Sequence, residues 1–397
     1  MKILVICQYY RPEPFRISDI CEELINRGHF VTVVTGEPNY PEGKIYKGYE
    51  HHQKSDELIN GVAVHRCPVI PRKTGFIYRI LNYFSFPVSA KRYIKKLETS
   101  FDVVFVNQLS PIMMAEPAIA YKKRTGVPIL MYCLDLWPES LCAGGVNKKS
   151  LIYKFFYTIS KKIYTNMDRI LISSSAFCNY LKDEFNIADH KIEYLPQYAE
   201  EIFDDVPYNE PKATVNLLFA GNIGIAQSVS TILDAAEELK SDNVFFHIVG
   251  TGVELDKLVK KAEEKGISNI TFYGRLPLEK MPKLYAKADA MIVTLKDDEV
   301  LNRTLPGKVQ SYMVAGKPII GAANGETALI IKEADCGYCG NAEDSYTLAC
   351  NIRRFINSGE KKKMGENALK YYKEHFKREV FIDKLEKELK ALSNKGY

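Results

Sequence analysis

The sequence has no run of about 18 consecutive apolar residues, the least that a helix needs to cross a bilayer. Its start, MKILVICQYY, has neither the apolar core nor the small-residue cleavage site of a secretory leader, so none is expected. Tryptophan occurs once, as Trp137, and histidine 7 times. No H-x-H, D-x-D or paired acidic cluster demands a metal, and none is expected to be required. The 9 cysteines are scattered, which argues against a disulfide framework and for a reducing cytosol. The one close pair, Cys336 and Cys339, lacks the second pair of a zinc site and reads as two buried strand cysteines. What remains is an ordinary soluble composition, 46% hydrophobic and 26% charged over 397 residues, long enough for two or three domains.

The net charge of +5 is uneven. Residues 1–200 hold 26 basic against 20 acidic side chains, and the remainder 28 against 29. The excess falls in two stretches. One holds Arg66, Arg72, Lys73, Arg79, Lys91, Arg92, Lys95 and Lys96 with a single acid, Glu98. The other, 148–162, holds five lysines and no acid. No nucleic-acid motif accompanies them, and no nucleic-acid partner is expected.

Apolar periodicity predicts a strand at 2–7, a helix at 16–27 and a strand at 30–35, a βαβ opening that implies a parallel sheet. A hairpin about Asn60-Gly61 follows over 57–67. Then comes an aromatic, basic helical stretch at 76–97, broken near Pro87, and alternating strands and helices as far as 195. Residues 196–213 are polar, with Pro196, Pro207 and Pro211, and read as a linker around 201–213. A second βα series runs from 214 to 370, and 371–397 is a terminal helix expected to pack back toward the first half. The fold class is therefore α/β, with two Rossmann-like doubly wound domains. Ligands of such sheets bind beyond the carboxyl ends of the strands, here expectedly in the cleft between the two domains.

The loops at those strand ends carry the candidates. Gly221-Asn222-Ile223-Gly224 with Gln227, Gly250-Thr251-Gly252 and Gly274-Arg275 put three glycine-bearing turns after consecutive strands. Glycine lets backbone approach a phosphate, and arginine offers it a fork; the plain alternative is that glycine simply turns the chain. In 301–320, Thr304 or a neighbour reads as a helix cap and Pro306 pre-sets φ. Lys308 lies in the first turn of a helix whose N-terminus is open to an anion. In the first half, Asp135 follows an apolar strand and is placed to orient or deprotonate a hydroxyl, or else caps a helix. Trp137 is a candidate to stack on a sugar ring, and Arg16 to face an anion.

Together these stretches resemble glycosyltransferase family 4, the retaining GT-B sugar transferases, and within it the WbuB-like branch of O-antigen and capsule enzymes. The stretches are PNYPEGKIYKGY at 38–49, DLWPES at 135–140, FAGNIGIAQ at 219–227, VGTGVELDKL at 249–258, FYGRLPLEKMPKLYAKAD at 272–289, LPGKVQSYMVAGKPII at 305–320 and NGE at 324–326. The resemblance implies transfer of a sugar from a nucleotide diphosphate, UDP by analogy, with retention and without a metal. Asp135, Lys308 and Arg275 would be catalytic. Gly221, Asn222, Gln227, Gly250, Gly252, Gly274, Leu276, Leu305, Gly307, Gln310, Ser311 and Glu326 would line the donor site, with the base near Gly274–Leu276. Arg16, Asn39, Tyr40, Trp137 and Glu139 would face the acceptor. By the branch, the sugar is a deoxy-amino sugar such as N-acetyl-L-fucosamine and the acceptor a polyprenyl-diphosphate-linked saccharide. The enzyme would be cytoplasmic, against the inner face of the cell membrane, and the basic aromatic stretches 76–96 and 153–164 suit anionic lipid.

The chain departs from the family at Arg303 and Ser311, where many members have glutamates, the second of which holds the ribose. It departs also at Asn222 and Gln227, and at Pro14 and Phe15. The phosphate charge therefore falls to Lys308, Arg275 and Arg303. Two other readings stand beside this one: a UDP-sugar 2-epimerase, which shares the two-lobed architecture, and a non-catalytic partner of another transferase, which the missing glutamate and lysine allow.

Overall fold

The computed structural model describes residues 1–71, 76–143, 145–207 and 213–394; Arg72, Lys73, Pro211 and Tyr397 lie outside the described residues, as does the side chain of Arg79. The chain forms two compact units. One comprises Met1–Ser173, Phe177–Leu195 and the residues from Ile382 on, the other Ser174–Ala176 and Pro196–Phe381.

In the first unit the strands are β1 (Lys2–Ile6), β2 (Phe30–Gly36), β3 (Asp56–Ile59), β4 (Val62–Cys67), β5 (Val103–Gln108), β6 (Ile129–Cys133), β7 (Arg169–Ile172) and β8 (Ile192–Tyr194). Their order in the sheet is β3-β4-β2-β1-β5-β6-β7-β8. Every neighbouring pair is parallel except the β3–β4 hairpin. Asn60 (φ 48°) and Gly61 (φ 82°) both adopt the left-handed conformation that a two-residue hairpin turn requires. Every residue of β5 and β6 is buried, as expected of central parallel strands covered on both faces. The order reverses between β1 and β5.

The helix Phe76–Lys96 runs unbroken through Pro87, correcting the break expected there. An interior proline costs about 3 kcal/mol. Buried Tyr83, Phe86, Ala90 and Ile94 line this helix, and at about 1.5–3 kcal/mol for each large side chain their burial outweighs that cost. The last helix, Arg378–Ser393, completes the unit: Glu386 pairs with Arg27 at 3.0 Å and lies 2.8 Å from His29 Nε2, while Glu388 pairs with Arg169.

In the second unit β9 (Val215–Ala220), β10 (Val244–Val249), β11 (Ile270–Phe272), β12 (Ala290–Thr294), β13 (Ile319–Ala322) and β14 (Gly337–Gly340) form a wholly parallel sheet, ordered β11-β10-β9-β12-β13-β14. The order reverses between β9 and β12, which makes the carboxyl ends of those two strands the favoured place for a ligand. Buried Lys317 donates to the carbonyls of Ala286 (3.3 Å) and Ala288 (2.9 Å), fixing the approach to β13.

Candidate functional site

Four backbone hydrogen bonds lace the glycine loops of the second unit together. Gly221 N donates to Val249 O (2.9 Å), Ile223 N to Thr251 O (2.9 Å), Gly250 N to Gly274 O (2.8 Å) and Glu254 N to Ile223 O (3.1 Å). The fit leaves no space for side chains. Gly250 has φ 144°, and a Cβ there would stand 1.7 Å from Gly221 O; at Gly252 it would stand 2.3 Å from Ile223 O. The loop after β12 joins them, through Thr294 Oγ1 to Gln227 O (2.6 Å) and Lys296 N to Ala226 O (3.0 Å). The three turns singled out in the sequence therefore form one lattice at the reversal point.

Lys308 completes it. It is the second residue of the helix Gly307–Val314, which Tyr312 pins to β9 by accepting from Ala220 N (3.1 Å) and donating to Ala220 O (3.2 Å). Lys308 Nζ lies 3.8 Å from the centroid of the Phe219 ring and against Gly221, where a Cβ would approach it to 2.8 Å. The ammonium is shut off from solvent and has no hydrogen-bond partner among the described residues, although the residue as a whole is partly accessible. Burial pushes its pKa down to about 7. The side-chain cap expected of Thr304 or a neighbour does not form: the Thr304 hydroxyl donates to Val300 O (2.8 Å), the cap position is held by Pro306, and among the described residues no side chain caps this helix. Its first turn therefore lies beside a buried cation with no side-chain acceptor at its cap, an arrangement whose positive end is suited to an anion.

Other predicted residues are placed less directly. Asn222 Nδ2 donates to Gln227 Oε1 (3.0 Å), which also accepts from Gly224 N (3.3 Å), so this pair braces its own loop. Arg275 is exposed and has no ion pair among the described residues, and Leu276 packs partly against the core. Leu305 puts its side chain in the core, leaving only backbone to a ligand. Gln310 and Ser311 are both bonded within the second unit. The buried Gln310 amide faces the carbonyls of Pro306 and Gly307 at 3.0 and 3.2 Å, and Ser311 Oγ donates to Glu200 Oε2 (3.1 Å). Glu326 is buried and accepts from Ser175 N (3.0 Å) and Ser175 Oγ (2.8 Å). Glu200 had no motif to announce it; a lone carboxylate in a polar stretch carries no sequence signal.

In the first unit, the loops after β5 and β6 meet at Asp135, whose Oδ2 accepts from Ser110 N (3.0 Å) and whose pKa is raised by burial. Trp137 is not a sugar platform. Its side chain is buried against Tyr83 and Phe156, and Nε1 donates to Ser110 Oγ (2.8 Å). Glu139 is likewise interior, bound by Tyr153 (2.9 Å) and Lys148 (3.1 Å). Asn39 is buried and shapes its loop, its N–H donating to Glu13 and Nδ2 to Glu37 O. Arg16 is half-buried at the cap of the helix Ile17–Asn26, and Tyr40 is exposed within a cluster with Tyr9 and Phe15. The sequence reading missed Glu13, a buried carboxyl raised to about 7 by desolvation, which accepts from Asn39 N (2.9 Å) and Tyr40 N (2.7 Å). Its setting between two prolines gives no hint of those donors. Among the described residues no three or more His, Cys, Asp or Glu side chains are grouped to hold a metal.

Residues 16–197 match the family model Glycosyltransferase Family 4, and residues 200–371 match Glycosyl transferases group 1. The chain belongs to the family 4 glycosyltransferases. This glycosyltransferase is 24% identical over 349 residues to the putative colanic acid biosynthesis glycosyl transferase WcaI of Escherichia coli K12, covering 83% of the chain and 85% of that protein. Its fold is that of sucrose-phosphate synthase from Thermosynechococcus elongatus (TM-score 0.74, 15% identity, 98% of both chains). It is also that of Anabaena HepE in complex with UDP-glucose (TM-score 0.70, 13% identity, 98% of this chain and 100% of the other). The two Rossmann-like units are those of a GT-B glycosyltransferase.

Proposed function

We propose that the second unit of this enzyme holds the diphosphate of a nucleotide sugar, with uracil as the base, against Lys308 and the open first turn of its helix. The sugar passes with retention to a polyprenyl-diphosphate-linked saccharide during assembly of a surface polysaccharide. The observation that carries this reading is the Lys308 ammonium, buried without a hydrogen-bond partner beside a lattice of glycine backbone. A buried cation is costly unless an anion meets it, and the lattice admits backbone-close approach. HepE, solved with UDP-glucose, supports the choice of uridine, and WcaI, named for colanic acid biosynthesis, the polysaccharide. A deoxy-amino sugar such as N-acetyl-L-fucosamine remains the sequence-based choice of donor.

In this mechanism the protein stabilises charge growing on the leaving nucleoside diphosphate. Lys308 and the helix N-terminus act on the diphosphate, and Arg275 reaches it from the neighbouring turn. Attack proceeds on the face the leaving group vacates, and a phosphate oxygen accepts the proton of the acceptor hydroxyl. Asp135, with its raised pKa, orients that hydroxyl. No metal is required. The site works at the inner, cytoplasmic face of the cell membrane, where a lipid-linked acceptor is found.

The test is calorimetric titration and thermal shift with UDP, GDP, dTDP and inorganic pyrophosphate. A ligand at 100 times its Kd adds about 2.7 kcal/mol. Stabilisation by UDP and not by the other nucleotides is expected, with Lys308→Ala abolishing it. UDP binding equally well to Lys308→Ala, or no nucleotide binding at all, would overturn the reading.

A further inference from the structure

Glu13 is a buried carboxyl that the proposed reaction leaves without a task. Only 1% of it reaches solvent. It lies in the loop 7–16 after β1, between Pro12 and Pro14, whose fixed φ angles hold the backbone on either side of it. Its Oε1 accepts from Asn39 N (2.9 Å) and Tyr40 N (2.7 Å), both in the loop after β2. Its Oε2 is also buried and has no hydrogen-bond partner among the described residues. One carboxyl thus joins two loops at the carboxyl ends of β1 and β2, beside the strand reversal of the first sheet. Aromatic rings complete the joint. Tyr9 stacks on Phe15 with centroids 4.9 Å apart, and the Tyr40 ring lies on both, at 5.7 and 5.2 Å.

The second loop is bonded to itself and so moves as one piece. Asn39 Nδ2 donates to Glu37 O (2.8 Å), Gly43 N to Asn39 O (2.8 Å), Tyr46 N to Pro38 O (3.0 Å) and Tyr46 Oη to Tyr40 O (2.6 Å). At its foot His52 lies 2.6 Å from Glu37. The groups facing Glu13 do not neutralise it. Arg66, from β4, is buried, paired with Glu57 at 2.7 Å, and donates to Arg11 O (2.5 Å). Cys7, after β1, and Tyr46, in the second loop, stay uncharged near neutrality: burial pushes the thiol up to about 12 and the phenol above its usual 10. An ionised Glu13 is therefore a buried charge with one oxygen unmet, which is costly. The neutral form carries its proton on Oε2 and keeps both N–H bonds on Oε1. Desolvation outweighs those bonds, and the pKa stands at about 7.

We propose that Glu13 is a proton-held clasp: neutral, it keeps the loop 37–49 closed on the loop 7–16, and on ionisation it lets that loop go. The prolines fix the first loop, so the second is the one that moves. Opening carries Asn39 and Tyr40 away and gives the carboxylate to water, where its pKa returns to 4.5. The closed form holds its proton more tightly than the open form. Its advantage is therefore full below pH 4.5 and is lost as pH rises to about 7, above which both forms are ionised and nothing further changes. Tyr40, 44% exposed, is the ring that leaves, and it stands at the end of the sheet where a ligand binds. The inference rests on the first unit alone and holds whichever nucleotide the second unit takes.

The experiment is hydrogen exchange of the full chain, read by mass spectrometry from pH 5 to pH 8 and corrected for the intrinsic rate. Residues 37–46 report the clasp, and β6 reports folding. In the wild type, protection of 37–46 is expected to fall by up to about tenfold per pH unit between pH 5 and pH 7 and then to level off, with β6 unchanged. Glu13→Gln keeps the acceptor oxygen without the charge, so its protection stays at the pH 5 level throughout. Glu13→Ala removes the clasp and gives low protection at every pH. His52→Gln alters the other titrating contact of the loop and leaves the slope intact. Wild-type protection that does not change between pH 5 and pH 7, or a slope that survives in Glu13→Gln, overturns the proposal. So does a slope that His52→Gln abolishes, which would place the switch at Glu37. Should β6 lose protection in Glu13→Gln, the Glu13 carboxyl carbon of the labelled wild type is titrated by NMR: a midpoint near 7 is expected, and one at the ordinary 4.5 overturns the proposal.

Discussion

At the scale of single residues, Lys308 decides most. On the proposed reading, replacing it with alanine removes one preorganised charge from the diphosphate, and the expected loss is about 2–4 kcal/mol in the barrier, read as kcat/KM against the wild type. Its ammonium also makes binding depend on pH. Burial lowers the pKa from 10.5 to about 7, so the charged form is disfavoured in the empty fold. The penalty is complete below about pH 7 and fades as pH rises toward 10.5, where the unfolded chain also loses its proton. A bound diphosphate reverses the preference and favours the protonated form. UDP affinity is therefore expected to fall by up to about tenfold per pH unit above pH 7, and binding near neutrality to take up protons. Calorimetry in buffers of different ionisation enthalpy measures both, and Lys308→Met is expected to abolish the slope. A pH-independent affinity between 7 and 9 would sink the assignment of this lysine to the anion.

At the scale of elements, the glycine lattice has no tolerance. Gly250→Ala would bring a Cβ to 1.7 Å from Gly221 O at φ 144°, so the loops must separate. We expect more than about 3 kcal/mol of destabilisation from strain and lost packing together. Gly126, a left-handed helix end with open space around it (φ 78°), is the control: alanine there costs about 1–2 kcal/mol. Denaturant melts of the two variants test the difference. The strands, the hairpin at Asn60-Gly61 and the glycine turns were legible in the sequence because each is fixed by neighbours within a few residues. Lys308 was legible for the same reason, as a lysine just inside a helix start. Long-range partners were not. Trp137 looked like a free platform in DLWPES, yet Tyr83, Ser110 and Phe156, distant in the chain, enclose it. Nor did the sequence announce that Ser311 bonds Glu200, or that Glu326 accepts from Ser175. Trp137→Phe is accordingly expected to lower stability by about 1 kcal/mol, for the lost indole bond, and to leave UDP affinity unchanged.

At the scale of the whole molecule, the last helix ties the chain's end to its beginning. Lys390, His29 and Arg27 all bond Glu386 and hold its carboxyl at about 2, against 4.5 when unpaired. A depressed carboxylate contributes stability above pH 4.5 that is lost as pH falls toward 2. Glu386→Gln is thus expected to cost about 1 kcal/mol at pH 7 and nothing at pH 2, as read from denaturant midpoints. The same helix has a consequence for anyone recombining such enzymes. Pro196–Phe381, with Ser174–Ala176, form the second unit, but the residues from Ile382 on complete the first. A chimera with a single junction near residue 196 would set a foreign final helix against Arg27, His29 and Arg169. The heritable module is an insertion with two main junctions, so on the proposed reading a donor preference is expected to be exchanged by grafting the interior of the gene and not by swapping its tail.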